Sequence, residues 1–178
     1  MSQLHPDLRR ILISEAEIQA RVKSIALQIS HDFSSVNRLY MVGILKGAFI
    51  FLADLSRQLT IPHVVDFMAI SSYGKTTSSG AVRIIMDLRE SIEGQHVIIV
   101  EDILDTGNTL NYLYRTLGDR NPASLHTCVL TYKKKHGQAL ETPLDYLGFE
   151  IPDVWVVGYG LDYADQHRTL PYIAELKR

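Results

Sequence analysis

The chain has 178 residues, 46% hydrophobic and 21% charged, the size and balance of one soluble globular domain with a sizeable core. Lys plus Arg number 18 against 20 for Asp plus Glu; the net charge of -2 argues against a blanket affinity for nucleic acid or membrane surfaces. The lone cysteine, Cys128, excludes an internal disulfide and a cysteine-built metal site, and no run has signal-peptide or membrane-span length, so the expectation is a cytoplasmic protein.

The first periodic segment is a helix. Ser14 with Glu17 three residues later forms a capping box, and Ile18, Val22, Ile25 and Ile29 recur behind it at helical spacing. RLYMVGIL, residues 38–45, reads as a buried strand, and Gly47 starts a second helix with Phe51, Leu55 and Leu59 on one face. Pro62 separates that helix from a strand over 63–70, and SSYGKTTSSG, 71–80, is turn and loop chemistry throughout. Strands follow at 82–86 and 96–100, then a helix over 108–120 ending near Gly118. Further strands at 124–130, 146–149 and 154–160 precede a tail containing Pro171.

Strands and helices alternate, and the Val/Ile runs are continuous rather than alternating with polar residues. That pattern predicts one α/β domain over 1–178, with a mostly parallel central sheet flanked by helices on both faces. In such folds ligands sit at the carboxyl ends of the strands. Three loops of unusual composition fall there: Leu45-Lys46-Gly47, Glu101 to Thr109, and the lysine run 133–135.

The middle loop, in VIIVEDILDTGNTL, combines opposites. An apolar run ends at Val100, and Asp105-Thr106-Gly107-Asn108-Thr109 leads into a helix, a turn suited to a phosphate. Glu101, Asp102 and Asp105 beside it repel phosphate, and Asp or Thr here can equally be a helix cap. Two adjacent acids at the end of a buried strand need a cationic or hydroxylic partner. A sugar phosphate satisfies the whole loop, with its phosphate on 106–109 and its hydroxyls on the acids.

VIIVEDILDTGNTL resembles the phosphoribosyl-pyrophosphate (PRPP) motif of type I phosphoribosyltransferases, in the form used by hypoxanthine-guanine phosphoribosyltransferases. VGILKGAFIFLADL resembles that family's pyrophosphate loop, SSYG its catalytic loop, and GFEIPDVWVVGYGLDYADQHRTLPYI its purine-binding and C-terminal segment. These blocks run in family order from about Ile13 to Leu176. The resemblance implies the type I fold, with a small hood formed by the N- and C-terminal segments. It implies a purine-salvage enzyme that joins hypoxanthine or guanine to PRPP with Mg2+, releasing pyrophosphate and IMP or GMP. It also implies a homodimer or homotetramer.

Residue roles follow from the same resemblance. Asp105 matches the general base that takes the proton from purine N7. Thr106, Gly107, Asn108 and Thr109 match the ribose-phosphate cradle, while Glu101 and Asp102 match the residues that address the ribose hydroxyls directly or through magnesium. Asp162 matches the magnesium-pyrophosphate ligand, and Arg168, Leu45, Lys46 and Gly47 match the pyrophosphate-binding positions, where the Leu45–Lys46 peptide is a candidate cis bond. Trp155 matches the aromatic that stacks on the purine, against a core role in its strand, and Val156 gives backbone contacts. Ser72 and Tyr73 match the lid. The lysine that donates to purine O6 falls at Lys133 when aligned from the preceding strand and at Lys134 when aligned from YLGFEIPD; the strand fixes the register better, which favours Lys133. Tyr132 stands where bacterial relatives carry Asp. An RNA-binding regulator on the same fold calls for a basic face that the charge pattern lacks, and a dinucleotide enzyme calls for a G-x-G-x-x-G that is absent.

Overall fold

The computed structural model describes residues 4–72, 82–133 and 141–177. A strand, β1 (Leu8–Ile13), precedes the helix expected from the capping box, α1 (Glu15–Asp32). Both halves of the box form. The Glu17 N–H donates to Ser14 Oγ at 3.4 Å and the Ser14 N–H donates to the Glu17 carboxylate at 2.8 Å, which satisfies two of the helix's orphan donors. Ile18, Val22, Ile25 and Ile29 are all buried.

The main sheet comprises β2 (Leu39–Leu45), β3 (His63–Ser72), β4 (Val82–Met86), β5 (His96–Leu104), β6 (Ser124–Lys133) and β7 (Tyr146–Ile151). Their spatial order is β4-β3-β2-β5-β6-β7, and only β3 and β4 pair antiparallel. Helices α1 and α2 (Phe49–Gln58) lie on one face and α3 (Asn108–Gly118) on the other. Alternate residues of β2 serve the two cores: Leu39 and Met41 cluster with Phe51 and Leu52, Tyr40 and Val42 with Leu110 and Leu113. Burial on both faces is why these strands read as unbroken apolar runs. The chain runs outward from β2 through β3 on one side and from β5 through β6 on the other. The adjacent carboxyl ends of β2 and β5 therefore border the topological switch point, where open α/β sheets bind ligands.

Several boundaries differ from expectation. Strand β5 does not end at Val100 but continues through Glu101 and Asp102 to Leu104, and β6 continues to Lys133. The acids are thus part of the sheet. Helix α2 begins at Phe49 after an Ala48 N-cap, leaving Gly47 in the preceding turn and Leu59 as the C-cap. Of 154–160 only Val156–Val157 is strand, β8, because Gly158, Tyr159 and Gly160 all adopt positive φ and turn the chain.

Strand β8 pairs antiparallel with β9 (Ile173–Leu176), and β9 with β1. This separate sheet, in the order β1-β9-β8, is the hood built from the two ends of the chain. The buried Glu175 carboxylate fastens it, accepting from Arg9 at 3.1 Å and Arg10 at 2.8 Å. No helix among the described residues is long and apolar enough to cross a membrane.

Candidate active site

The two loops at the switch point meet. The β5–α3 turn ends in Gly107, the N-cap of α3, at φ 82, a left-handed conformation that favours glycine. The N-cap position thus falls on Gly107 rather than on Asp105 or Thr106. Such a start presents first-turn N–H groups and the positive end of the helix dipole to an anion. Glu101, Asp105, Thr106, Gly107 and Thr109 line a cavity of ≈ 170 Å³ there, and Asn108, exposed, is the first helical residue.

Glu101 is 6% exposed, which rules out a solvated acidic turn. Burial pushes its carboxyl well above the usual range, and the neighbouring Asp102 charge pushes the same way. Asp102 rises to about 6, again from burial, held back by N–H bonds from its own backbone and Ile103, the Glu101 hydrogen bond and the Arg168 charge. Burial of the pair therefore favours its protonated form relative to exposed carboxyls. Thr131 on β6 donates to the Asp102 carbonyl at 2.8 Å, tying this segment to the next strand.

Gly47 lies against the Asp102 carboxyl so closely that a Cβ would fall 1.7 Å from Asp102 Oδ2. On its other side a Cβ on Gly160 would fall 2.0 Å from the Gly47 carbonyl oxygen. The turn after β2 is therefore held between the acid pair and the 158–161 segment, and the Leu45–Lys46 peptide within it is cis. Lys46 Nζ reaches Asp165 Oδ1 at 3.0 Å. Arg168 contacts the same Asp165 oxygen at 3.2 Å, Asp162 Oδ1 at 2.7 Å and the Gly160 carbonyl at 2.6 Å. Tyr159, buried, donates to Asp54 of α2 at 2.6 Å and anchors this segment to the main body.

Asp165 is a member of this network that sequence reading passes over; in YADQHR it looks like a solvated turn residue. It joins Lys46 to Arg168, and so the turn after β2 to the segment after β8. Its pair with Lys46 is exposed on both sides and holds little energy by itself.

On the other flank, parallel pairing sets Leu104 opposite Tyr132, so the next residues, Asp105 and Lys133, leave adjacent strands side by side. Lys133 Nζ stands 3.2 Å from Asp105 Oδ2, 3.8 Å from Asp153 Oδ1 and 5.8 Å from the centroid of the Trp155 ring. Trp155 is 47% exposed and packs edge-on against Tyr163, so it is not a core residue. Val156 is buried in β8 directly after it. Lys133, Asp153, Trp155 and Glu175 line an open cleft of ≈ 690 Å³ between main sheet and hood. Ser72 is the last residue of β3. Tyr73 and Lys134 lie outside the described residues.

For a metal, the acids offer hard oxygen donors of the kind magnesium prefers. Among the described residues Glu101, Asp102 and Asp162 do not converge into one compact ligand set. That suits magnesium carried mainly on substrate oxygens and water, with one or two carboxylates assisting.

Residues 13–164 match the phosphoribosyl transferase domain family, and the chain belongs to it. It is 50% identical over 173 residues to the hypoxanthine-guanine phosphoribosyltransferase of Dictyostelium discoideum, covering 95% of this chain and 96% of that one. It is 45% identical to the Salmonella typhimurium hypoxanthine phosphoribosyltransferase, covering 93% and 94%. The solved structure of the Trypanosoma cruzi hypoxanthine phosphoribosyltransferase with the product IMP superposes with a TM-score of 0.91 at 44% identity, over 98% of this chain and 97% of that one. The type I fold expected from the sequence is the fold observed.

Proposed function

We propose that the chain transfers the 5-phosphoribosyl group of PRPP to N9 of hypoxanthine or guanine, giving IMP or GMP and pyrophosphate. The observation that carries this reading is the meeting of Lys133 and Asp105 at 3.2 Å, beside an exposed tryptophan and at the start of helix α3. On a 6-oxopurine, O6 and N7 are neighbouring atoms. Lys133 donates to O6, and Asp105 takes the N7 proton as N9 attacks C1 of the ribosyl group. Trp155 stacks on the ring and the Val156 backbone orients it. Adenine, with a donor amino group at that position, leaves the Lys133 ammonium opposed by a donor.

The turn 106–109 holds the 5-phosphate. Glu101 and Asp102 face the ribose hydroxyls, and their charge favours the cationic ribosyl centre of the transition state over the neutral ground state. Lys46, Gly47 and Arg168 hold pyrophosphate, with Asp165 fixing the first relative to the last. Asp162, with Glu101 or Asp102 assisting, would hold magnesium, which would supply positive charge to offset that of the pyrophosphate. Ser72 and Tyr73 close over the reacting groups and keep water out. We place the enzyme in the cytosol, where its lone thiol stays reduced, and as a homodimer or homotetramer. The apolar side chains exposed on β3 and β4, Val65, Ile85 and Met86, support association between copies.

The test is a spectrophotometric assay with PRPP, Mg2+ and each of hypoxanthine, guanine, xanthine, adenine and uracil. Turnover confined to 6-oxopurines is expected. Turnover with adenine or uracil at similar kcat/KM would overturn the base assignment, and silence with every base alongside nucleotide binding would overturn the enzyme reading.

A further inference from the structure

On the hood, away from Lys133 and the acid pair in sequence, three side chains from opposite ends of the chain gather. His5 and Asp7 belong to the turn before β1, and His167 to the segment after β8. Asp7 Oδ2 lies 3.3 Å from His167 Nε2 and 3.5 Å from His5 Nδ1. The two imidazoles pack edge to face with centroids 4.8 Å apart. Sequence reading finds none of this, because no motif or spacing connects residues at the two ends of the chain.

The Asp7 N–H also donates to His5 Nδ1 at 3.3 Å, which holds this ring nitrogen on the same side of the turn as the Asp7 carboxylate. His167 is nearly enclosed, with 10% of its side chain exposed, and its backbone holds φ 65, an uncommon conformation for a non-glycine residue.

We propose that His5, Asp7 and His167 form a binding site for a borderline divalent cation of the zinc class. The separations of 3.3 and 3.5 Å suit it: with bonds of about 2.0–2.1 Å, ligand atoms around tetrahedral zinc lie ~3.3 Å apart. All three donor atoms lie within 4.8 Å of one another, so closure of the half-exposed His5 ring onto the ion completes the set, with water as fourth ligand. Two imidazoles and one carboxylate select zinc over magnesium, which prefers oxygen ligands alone. The ion would clamp the turn before β1 to the segment that carries Asp162 and Arg168.

The experiment is calorimetric titration of zinc chloride into the full chain after dialysis against a chelator, without magnesium or PRPP, for the wild type, His5→Ala and Asp7→Asn. One equivalent of zinc should bind the wild type and raise its Tm in proportion to log zinc concentration. Both variants should bind that equivalent at least tenfold more weakly. Asp7→Asn keeps shape and most hydrogen bonding, so an unchanged zinc-free Tm in that variant excludes misfolding as the cause. Zinc should also shift the ring signals of His5 and His167 in NMR spectra. Absence of stoichiometric binding, equal binding by all three proteins, or shifts confined to other histidines would overturn the proposal.

Discussion

Asp102 gives the sharpest quantitative test, because its carboxyl is packed under Gly47 and raised from an ordinary 3.8 to about 6. The folded chain binds this proton more tightly than the unfolded chain does. Its contribution to stability is therefore fully present below 3.8 and gone once the pH has passed through about 6. At 1.36 kcal/mol per pH unit, that gap is worth about 3 kcal/mol. Asp102→Asn keeps the shape and removes the charge. The variant's unfolding free energy, measured relative to the wild type, should therefore rise by about 2–3 kcal/mol between roughly pH 4 and pH 8. Glu101 adds to the same trend, since in the variant it no longer ionises beside a negative neighbour. Urea denaturation at a series of pH values reads the difference directly, provided the m-values match. A difference that stays flat across that range would refute the burial-raised Asp102 carboxyl.

Other substitutions separate the proposed roles. Asp105→Asn should lower kcat by about 10²–10⁴-fold while IMP affinity changes by less than tenfold; unimpaired turnover removes the general-base role. Lys133→Ala should cut kcat/KM for hypoxanthine by about 10–100-fold, the worth of a charged hydrogen bond, and leave adenine unaffected. The same phenotype from Lys134→Ala and not from Lys133→Ala would move the O6 contact one residue on. Gly47→Ala puts a methyl 1.7 Å from Asp102 Oδ2 and should cost about 1–3 kcal/mol of stability in a melt, with KM for PRPP raised more than KM for purine. Chelation of divalent ions should abolish turnover, and full activity without them would contradict the part given to Asp162.

Much of the main body is legible in the sequence because the relevant forces are local. Ser14 and Glu17 announce α1, and the Val/Ile runs of β2 and β5 announce a sheet buried on both faces. Misreadings arise where a distant partner changes the local rule. Val100 looks like the end of a strand because two acids follow, yet the strand continues, since pairing with β6 runs on through Glu101 opposite Val129 to Leu104 opposite Tyr132. The hood strands leave almost no trace. LRRILI is interrupted by register shifts, β9 has only four residues, and their pairing partners lie at the opposite end of the chain. At the site, residue types and order are readable for Asp105, Lys133 and Trp155, whereas Asp165 acquires its place only when folding brings Lys46 to it. The N-cap falls on Gly107, in a left-handed conformation that composition does not encode.

The ion pair between Lys133 and Asp105 works as an interlock. In the free chain the Asp105 carboxylate rests against the Lys133 ammonium at 3.2 Å. In the roles proposed above, a 6-oxopurine offers an acceptor to the amine and a proton to the carboxylate from neighbouring atoms, and one docking event exchanges both partners. On those roles, PRPP arriving first meets a carboxylate still paired with Lys133. The nucleobase, on this reading, is at once the nucleophile and the key that releases the group that deprotonates it.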